Sequence, residues 1–108
     1  MPGFIDPHIH PSMAGLILSM ELITPLDWAL PERAVAGVRT EAGYRARLAG
    51  LVAAAGQDWV FTWGYHHYWH GSLTRGQLDT MAPATPVLVW HRSFHELVLN
   101  SKAIEALE

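Results

Sequence analysis

Two apolar stretches decide the fold of this chain: WVFTWGY at residues 59–65 and PVLVW at residues 86–90. The first is rich in aromatic and β-branched residues, and the second is a continuous apolar run. Both patterns are typical of strands that are buried in a sheet. Between them, Thr74 and Gln77 have the spacing of a capping box and predict a helix that ends before Pro83. A strand, a helix and a second strand in this order favour a parallel pair joined by a right-handed crossover.

Helical patterns flank these strands. Thr40 and Gly56 bound the clearest helix of the sequence, which carries a single apolar stripe. Ser12 is placed to cap a shorter helix with apolar positions at Met13, Leu16, Ile17 and Met20. A last helix is expected to begin at Asn100 or Ser101. With a buried strand at residues 3–10, the order β, α, α, β, α, β, α predicts an α/β fold with a parallel sheet.

The segment between the first two helices predicts an irregular loop. Pro25 and Pro31 interrupt it, and Trp28 lies between them. Prolines at this spacing disfavour regular elements, so we expect a long loop over one end of the sheet.

Composition excludes several classes of function. The chain has 108 residues, a net charge of -3 and scattered basic residues, so it lacks the footprint of a nucleic-acid-binding protein. It contains no cysteine, which excludes disulfides and cysteine-ligated zinc and fits a reducing compartment. No basic residue precedes Arg33, and the apolar run from Ala14 to Met20 is too short to span a bilayer. We therefore expect a cytoplasmic protein without a membrane partner.

The opening stretch, PGFIDPHIH at residues 2–10, carries a pattern that suits metal chemistry. Side chains alternate along a strand, so Asp6, His8 and His10 would share one face. Two imidazoles that converge from one strand end can chelate a divalent metal ion. The spacing alone leaves metal ligation and a purely structural role for the two histidines equally open.

Taken with four later stretches, this motif resembles the metal-dependent amidohydrolase superfamily, in the amidohydrolase family 3 branch that includes N-substituted formamide deformylases. The later stretches follow in order: DWVFTWGY at 58–65, LTRGQLD at 73–79, PVLVWHRSFH at 86–95 and LNS at 99–101. The resemblance implies a (β/α)₈ TIM barrel, which needs about 250 residues. We therefore expect residues 1–108 to form a single barrel fragment of about three βα units. Such a fragment should be inactive by itself and prone to form homo-oligomers through uncovered sheet edges.

The resemblance also implies a function. It implies that the parent protein is a metal-dependent hydrolase that cleaves carbon–nitrogen bonds outside peptides, in small-molecule amides, formamides or cyclic amides, with a metal-activated water. His8 and His10 would hold the metal, with Zn²⁺ as the expected ion, and Asp6 would orient one of the ligand imidazoles. No general base is expected within these residues. The alternative is a non-catalytic α/β fragment or interaction module whose histidines are structural.

The resemblance places substrate-binding residues near two strand ends. Trp63, Tyr65 and His66 would border the substrate pocket at the first of these ends, although the two aromatic residues could equally pack in the core. Near them, His66 and His70 would share a face if the segment were helical and could then form a second metal site. The preceding strand and Gly71 favour a loop that lines the pocket instead.

At the second strand end, Arg92 and His95 would face the pocket and bind substrate oxygens. The alternative is that Arg92 pairs with Glu96 or another acid and anchors the loop. Relatives have an Asp-Gly pair where this chain has Ser93 and Phe94, a departure that bears on the substrate contacts.

Overall fold

A computed structural model describes residues 11–108, which form a mixture of helices and strands. The strand predicted at residues 3–10, with His8 and His10, lies outside the described residues. The elements in chain order are α1 (Pro11–Leu18), β1 (Glu21–Leu22), β2 (Trp28–Ala29), β3 (Ala34–Val35), α2 (Glu41–Ala55), β4 (Val60–Tyr65), α3 (His67–His70), α4 (Arg75–Met81), β5 (Val87–His91), β6 (Leu97–Leu99) and α5 (Ser101–Leu107).

Four strands form the main sheet in the order β1-β4-β5-β6. β1, β4 and β5 are parallel, and Val60 of β4 pairs with Val87 of β5. The predicted parallel pair is therefore confirmed, with α3 and α4 in the crossover between its strands. The strand β6 is antiparallel to β5, so the sheet is mixed rather than wholly parallel.

The expectation of an irregular loop after the first helix is wrong. The helix α1 ends at Leu18, β1 follows it, and β2 and β3 form an antiparallel hairpin. The backbone N–H of Leu30 donates to the carbonyl of Arg33 at 2.8 Å, so Pro31 lies inside the hairpin turn. These strands have two residues each and are defined by their partners, which a periodicity in sequence does not show.

The predicted ends of the later helices are confirmed by their caps, whereas α1 begins at Pro11, so Ser12 lies inside that helix and does not cap it. The side chain of Thr40 accepts from the N–H of Gly43, and Gly56 ends α2 with a φ of 63°. The Thr74 capping box is formed at α4. At α5, the buried side chain of Asn100 accepts from the N–H groups of Ala103 and Val87, which ties the helix cap to the start of β5.

Apolar side chains form two clusters on opposite faces of the sheet. Adjacent residues Val89 and Trp90 pack into different clusters, as alternating side chains of a strand do. The first cluster joins the sheet to α2 and α4 and contains Ile23, Val38, Tyr44, Leu48, Val60, Tyr65, Leu78, Ala82, Val87 and Val89. The second contains Ile17, Leu22 and Trp63, with Met20, Trp28, Leu30, Val35, Trp90 and Phe94 packed against them.

Gly64 changes the direction of side chains at the end of β4. The register with β5 shifts between Trp63 and Tyr65, and Gly64 has a φ of 114°. A Cβ at Gly64 would lie 2.7 Å from the carbonyl oxygen of Ile23, closer than real contacts allow. Because of this irregularity, Trp63 and Tyr65 face different clusters although they are two residues apart.

We predict that Gly64→Ala lowers the free energy of unfolding by roughly 1–3 kcal/mol, because alanine is strained at this positive φ and its Cβ would clash with the Ile23 carbonyl oxygen. Gly50→Ala is the matched control. Gly50 lies in α2 with open space around it, and alanine there should raise the free energy of unfolding by roughly 0.5–1 kcal/mol. Urea denaturation of both variants measures the difference, and equal midpoints would contradict the role assigned to Gly64.

Candidate functional site

The carboxyl ends of β4 and β5 meet at one edge of the sheet. Tyr65 pairs with His91 in the parallel register, and the backbone N–H of Arg92 donates to the carbonyl of Tyr65 at 2.8 Å. The residues that follow each strand therefore lie side by side. Ligand sites of parallel α/β sheets form at this kind of edge.

Three histidines come together there: His66, His67 and His91. One ring nitrogen of each lies within 4.8 Å of those of the other two. The ring centroid of His66 lies 4.7 Å from that of His67 and 4.9 Å from that of His91. Neutral imidazoles are common ligands of zinc and other transition metals, so spacing and donor type make this cluster compatible with a metal ion.

Local hydrogen bonds fix two of these rings. The Nδ1 of His66 accepts from the backbone N–H of Tyr68 at 3.1 Å and so caps α3. The Nδ1 of His91 accepts from the backbone N–H of Ser93 at 3.0 Å and lies 2.8 Å from the Ser93 hydroxyl. In both residues Nε2 is the nitrogen left for a ligand.

His91 is the buried member of the cluster, with 5% of its surface exposed. Its Nε2 is inaccessible to solvent and has no hydrogen-bond partner among the described residues. Burial lowers the pKa of His91, the charge of Glu96 opposes this, and the neighbouring imidazoles of His66, His67 and His95 lower it further. The ring is therefore neutral at neutral pH and carries one unsatisfied polar atom.

His70 does not join the cluster. The predicted loop at this place is wrong, because His67–His70 form one helical turn after β4. The Nδ1 of His70 accepts from the backbone N–H of His66, and its Nε2 lies 2.8 Å from the carbonyl of Val38. Both ring nitrogens are occupied, so His66 and His70 do not form the metal pair that a helix was expected to allow.

Aromatic side chains also lie near the carboxyl ends of β4 and β5, on the face of the sheet that carries the second apolar cluster. The ring centroid of Trp63 lies 5.4 Å from that of Phe94 and 5.7 Å from that of Trp28, and Phe94 also meets Trp90 edge to face at 5.2 Å. The buried Nε1 of Trp63 has no partner within the described part of the chain. By contrast, the hydroxyl of Tyr65, on the other face, donates to the carbonyl of Gly71.

Phe94 holds a conformation that favours glycine. Its φ is 68°, which is rare for a bulky side chain, and it closes a turn by donating its N–H to the carbonyl of His91. A glycine would adopt the same turn without strain. The packing of the Phe94 ring on Trp63 and Trp90 offsets part of that strain.

Arg92 and His95 flank this turn. Arg92 is half-buried and His95 is exposed, and the backbone N–H of His95 donates to the Ser93 hydroxyl. The alternative that Arg92 pairs with an acid is not supported, since no carboxylate of residues 11–108 lies within 4.0 Å of its guanidinium. Arg92 therefore keeps an unpaired positive charge next to His91 in the described structure.

The sequence pattern did not identify His91 as a site residue. The available signal was the alignment of the two strands: the last residue of β5 lies beside the last residue of β4. The turn hydrogen bonds that orient the His91 ring depend on the conformation of Ser93 and Phe94. A sequence pattern does not specify that conformation for a phenylalanine.

The whole chain matches one protein family. The profile of the amidohydrolase family aligns with residues 1–108. No curated protein and no solved structure matches the chain. Among the described residues, no helix is long and apolar enough to cross a membrane.

We predict that the protein loses stability as the pH falls below about 6.5. Burial lowers the pKa of both His70 and His91, so the unfolded chain takes up protons at a higher pH than the folded chain. The free energy of unfolding should therefore be constant at higher pH and decrease through this window. Urea denaturation at about pH 7.5 and about pH 5.5 measures it. In His70→Gln, the free energy of unfolding should fall less between these two pH values. An unchanged pH dependence in that variant would contradict the contribution assigned to His70.

Proposed function

Because this chain belongs to the amidohydrolase family, we propose that it forms part of a metal-dependent hydrolase that cleaves non-peptide carbon–nitrogen bonds. The proposed substrates are small-molecule amides, formamides or cyclic amides. The family match over all 108 residues is the observation that carries the proposal. The position of polar side chains at the carboxyl ends of parallel strands supports it.

The proposal includes a partial (β/α)₈ barrel. Three parallel strands, β1, β4 and β5, with helices in their connections, support that architecture. The antiparallel β6 is an addition to the barrel pattern, and it brings the turn that carries Arg92 and His95 back against the sheet. In a barrel, this turn would border the mouth where substrates enter.

We propose that His8 and His10 hold the metal, with Zn²⁺ as the ion that suits imidazole ligands. When bound, such an ion polarises a substrate carbonyl and lowers the pKa of a water molecule. Both histidines lie outside the described residues, and their assignment rests on the PGFIDPHIH motif.

The described residues would bind and orient the substrate. Trp63, Trp90 and Phe94 form an apolar wall that would exclude water and contact the substituent of an amide. The guanidinium of Arg92 pairs with no carboxylate among the residues that the structure describes, and His95 is exposed beside the same turn, so each could donate to a substrate oxygen. His66 would contribute from the neighbouring strand end.

One observation favours the alternative of a non-catalytic module. His66, His70 and His91 each accept a hydrogen bond from a backbone N–H, which is a structural task that needs no ligand. A module of this kind would bind no metal through His8 and His10 and would hydrolyse no amide. Metal analysis therefore separates the two functions.

We predict that His8→Ala and His10→Ala each remove bound zinc and hydrolase activity together, because each deletes one of the two proposed ligands. His66→Ala and His67→Ala should leave the metal content unchanged and alter mainly the KM for substrate. Elemental analysis of the four purified variants, with turnover of a panel of N-formyl amines, measures both effects.

Gln57→Ala is a suitable control, because Gln57 is exposed at the opposite end of β4. It should keep both metal and activity. Full zinc occupancy in His8→Ala and His10→Ala, or loss of zinc in His66→Ala and His67→Ala, would show that the wrong histidines have been assigned.

A further inference from the structure

His66 and His91 make the same local hydrogen bond at the ends of neighbouring strands. In each residue, Nδ1 accepts from the backbone N–H two positions later, at 3.1 Å for His66 and 3.0 Å for His91. Both rings are therefore oriented by main-chain donors. The imidazoles at the two strand ends therefore use the same nitrogen, Nδ1, as a hydrogen-bond acceptor.

These bonds determine where the ring protons lie. A backbone N–H can only donate, so Nδ1 must offer a lone pair in both histidines. In a neutral imidazole the remaining proton is then on Nε2. His66 and His91 consequently present Nε2–H groups, which are hydrogen-bond donors.

The donors lie close together and one of them is unsatisfied. The rings of His66 and His91 lie side by side, with their centroids 4.9 Å apart and one ring nitrogen of each within 4.8 Å of one of the other. One oxygen can bridge two donors at such a separation with hydrogen bonds of about 2.8 Å. The Nε2–H of His91 is buried and has no partner among the described residues. His67, which lies beside both rings, is exposed and no hydrogen bond holds its imidazole within the described chain, so it can move aside for a ligand.

A metal ion fits this arrangement less well than an oxygen acceptor. To bind a metal, Nε2 must offer a lone pair, and the proton must move to Nδ1. There it would face the N–H groups of Tyr68 and Ser93, and both hydrogen bonds would be lost. An oxygen acceptor requires neither change.

We propose that His66 and His91 form a two-donor site for a carboxylate oxygen. The positive charge of Arg92, which pairs with no carboxylate of residues 11–108 and lies next to His91, favours a negatively charged group at this edge. The charge of Glu96 raises the pKa of His91, but Glu96 is exposed and makes no hydrogen bond to the ring, so it does not occupy the site. This inference rests on the proposed function: the carboxylate belongs to the amide substrate, so the substrate class is an amide that carries a carboxylate.

The protonation state can be measured directly. Two-bond ¹⁵N–¹H correlation spectra of the histidine side chains should show protonated Nε2 in His66 and His91 at neutral pH. Titration with acetate should shift the Nε2 resonances of both residues together. This readout requires neither bound metal nor activity, so it stays valid whether or not His8 and His10 hold zinc.

Asparagine variants test the donors without removing the caps. His66→Asn and His91→Asn keep a side-chain oxygen that accepts the local backbone N–H, but each removes one Nε2–H. Each should weaken acetate binding by at least about tenfold. Tyr68→Phe, an exposed neighbour whose hydroxyl makes no hydrogen bond within the described residues, should leave acetate binding unchanged.

Substrate comparison identifies the source of the carboxylate. The protein should prefer N-formylglycine to N-formylethylamine in kcat/KM, and His66→Asn should abolish the preference. Equal rates for the two compounds, with acetate binding intact, would overturn the assignment to the substrate. An unprotonated Nε2 in either histidine, or zinc binding that His66→Asn and His91→Asn remove, would overturn the donor site itself.

Discussion

The parallel register of β4 and β5 is the constraint on which the rest of the structure depends. It pairs Tyr65 with His91 and so brings the segments after both strands to one edge of the sheet. The cluster of His66, His67 and His91 exists only because of that alignment. Asn100 supports it from the other end, where its side chain accepts from the N–H of Val87 at the start of β5.

Two backbone conformations then refine the site. Gly64 interrupts the alternation of β4, so that Trp63 joins the aromatic group and Tyr65 joins the core beneath α2. Phe94 keeps a positive φ that glycine would adopt without cost, and its ring packs between Trp63 and Trp90.

Much of the fold follows from local signals in the sequence. The caps at Thr40, Thr74 and Asn100 and the two apolar strands predicted the elements around them, because side-chain capping and burial act over a few residues. The hairpin at Trp28–Ala29 and the strand β6 were not predicted, since they are short and depend on pairing with distant residues. The residues of the site also divide into those indicated by local sequence and those that depend on distant pairing. The family resemblance predicted Arg92 and His66 as substrate-binding residues, whereas the place of His91 in the cluster depends on the register and the Ser93 turn.

We propose that two chemical tasks are separate in this protein: metal binding at His8 and His10, and recognition of a substrate oxygen by His66 and His91. Anomalous diffraction at the zinc absorption edge, from crystals of the protein grown with zinc, tests this separation most directly. We expect one strong peak between the imidazoles of His8 and His10 and none at the cluster. A zinc peak within bonding distance of His66, His67 and His91, with none at His8 and His10, would contradict it.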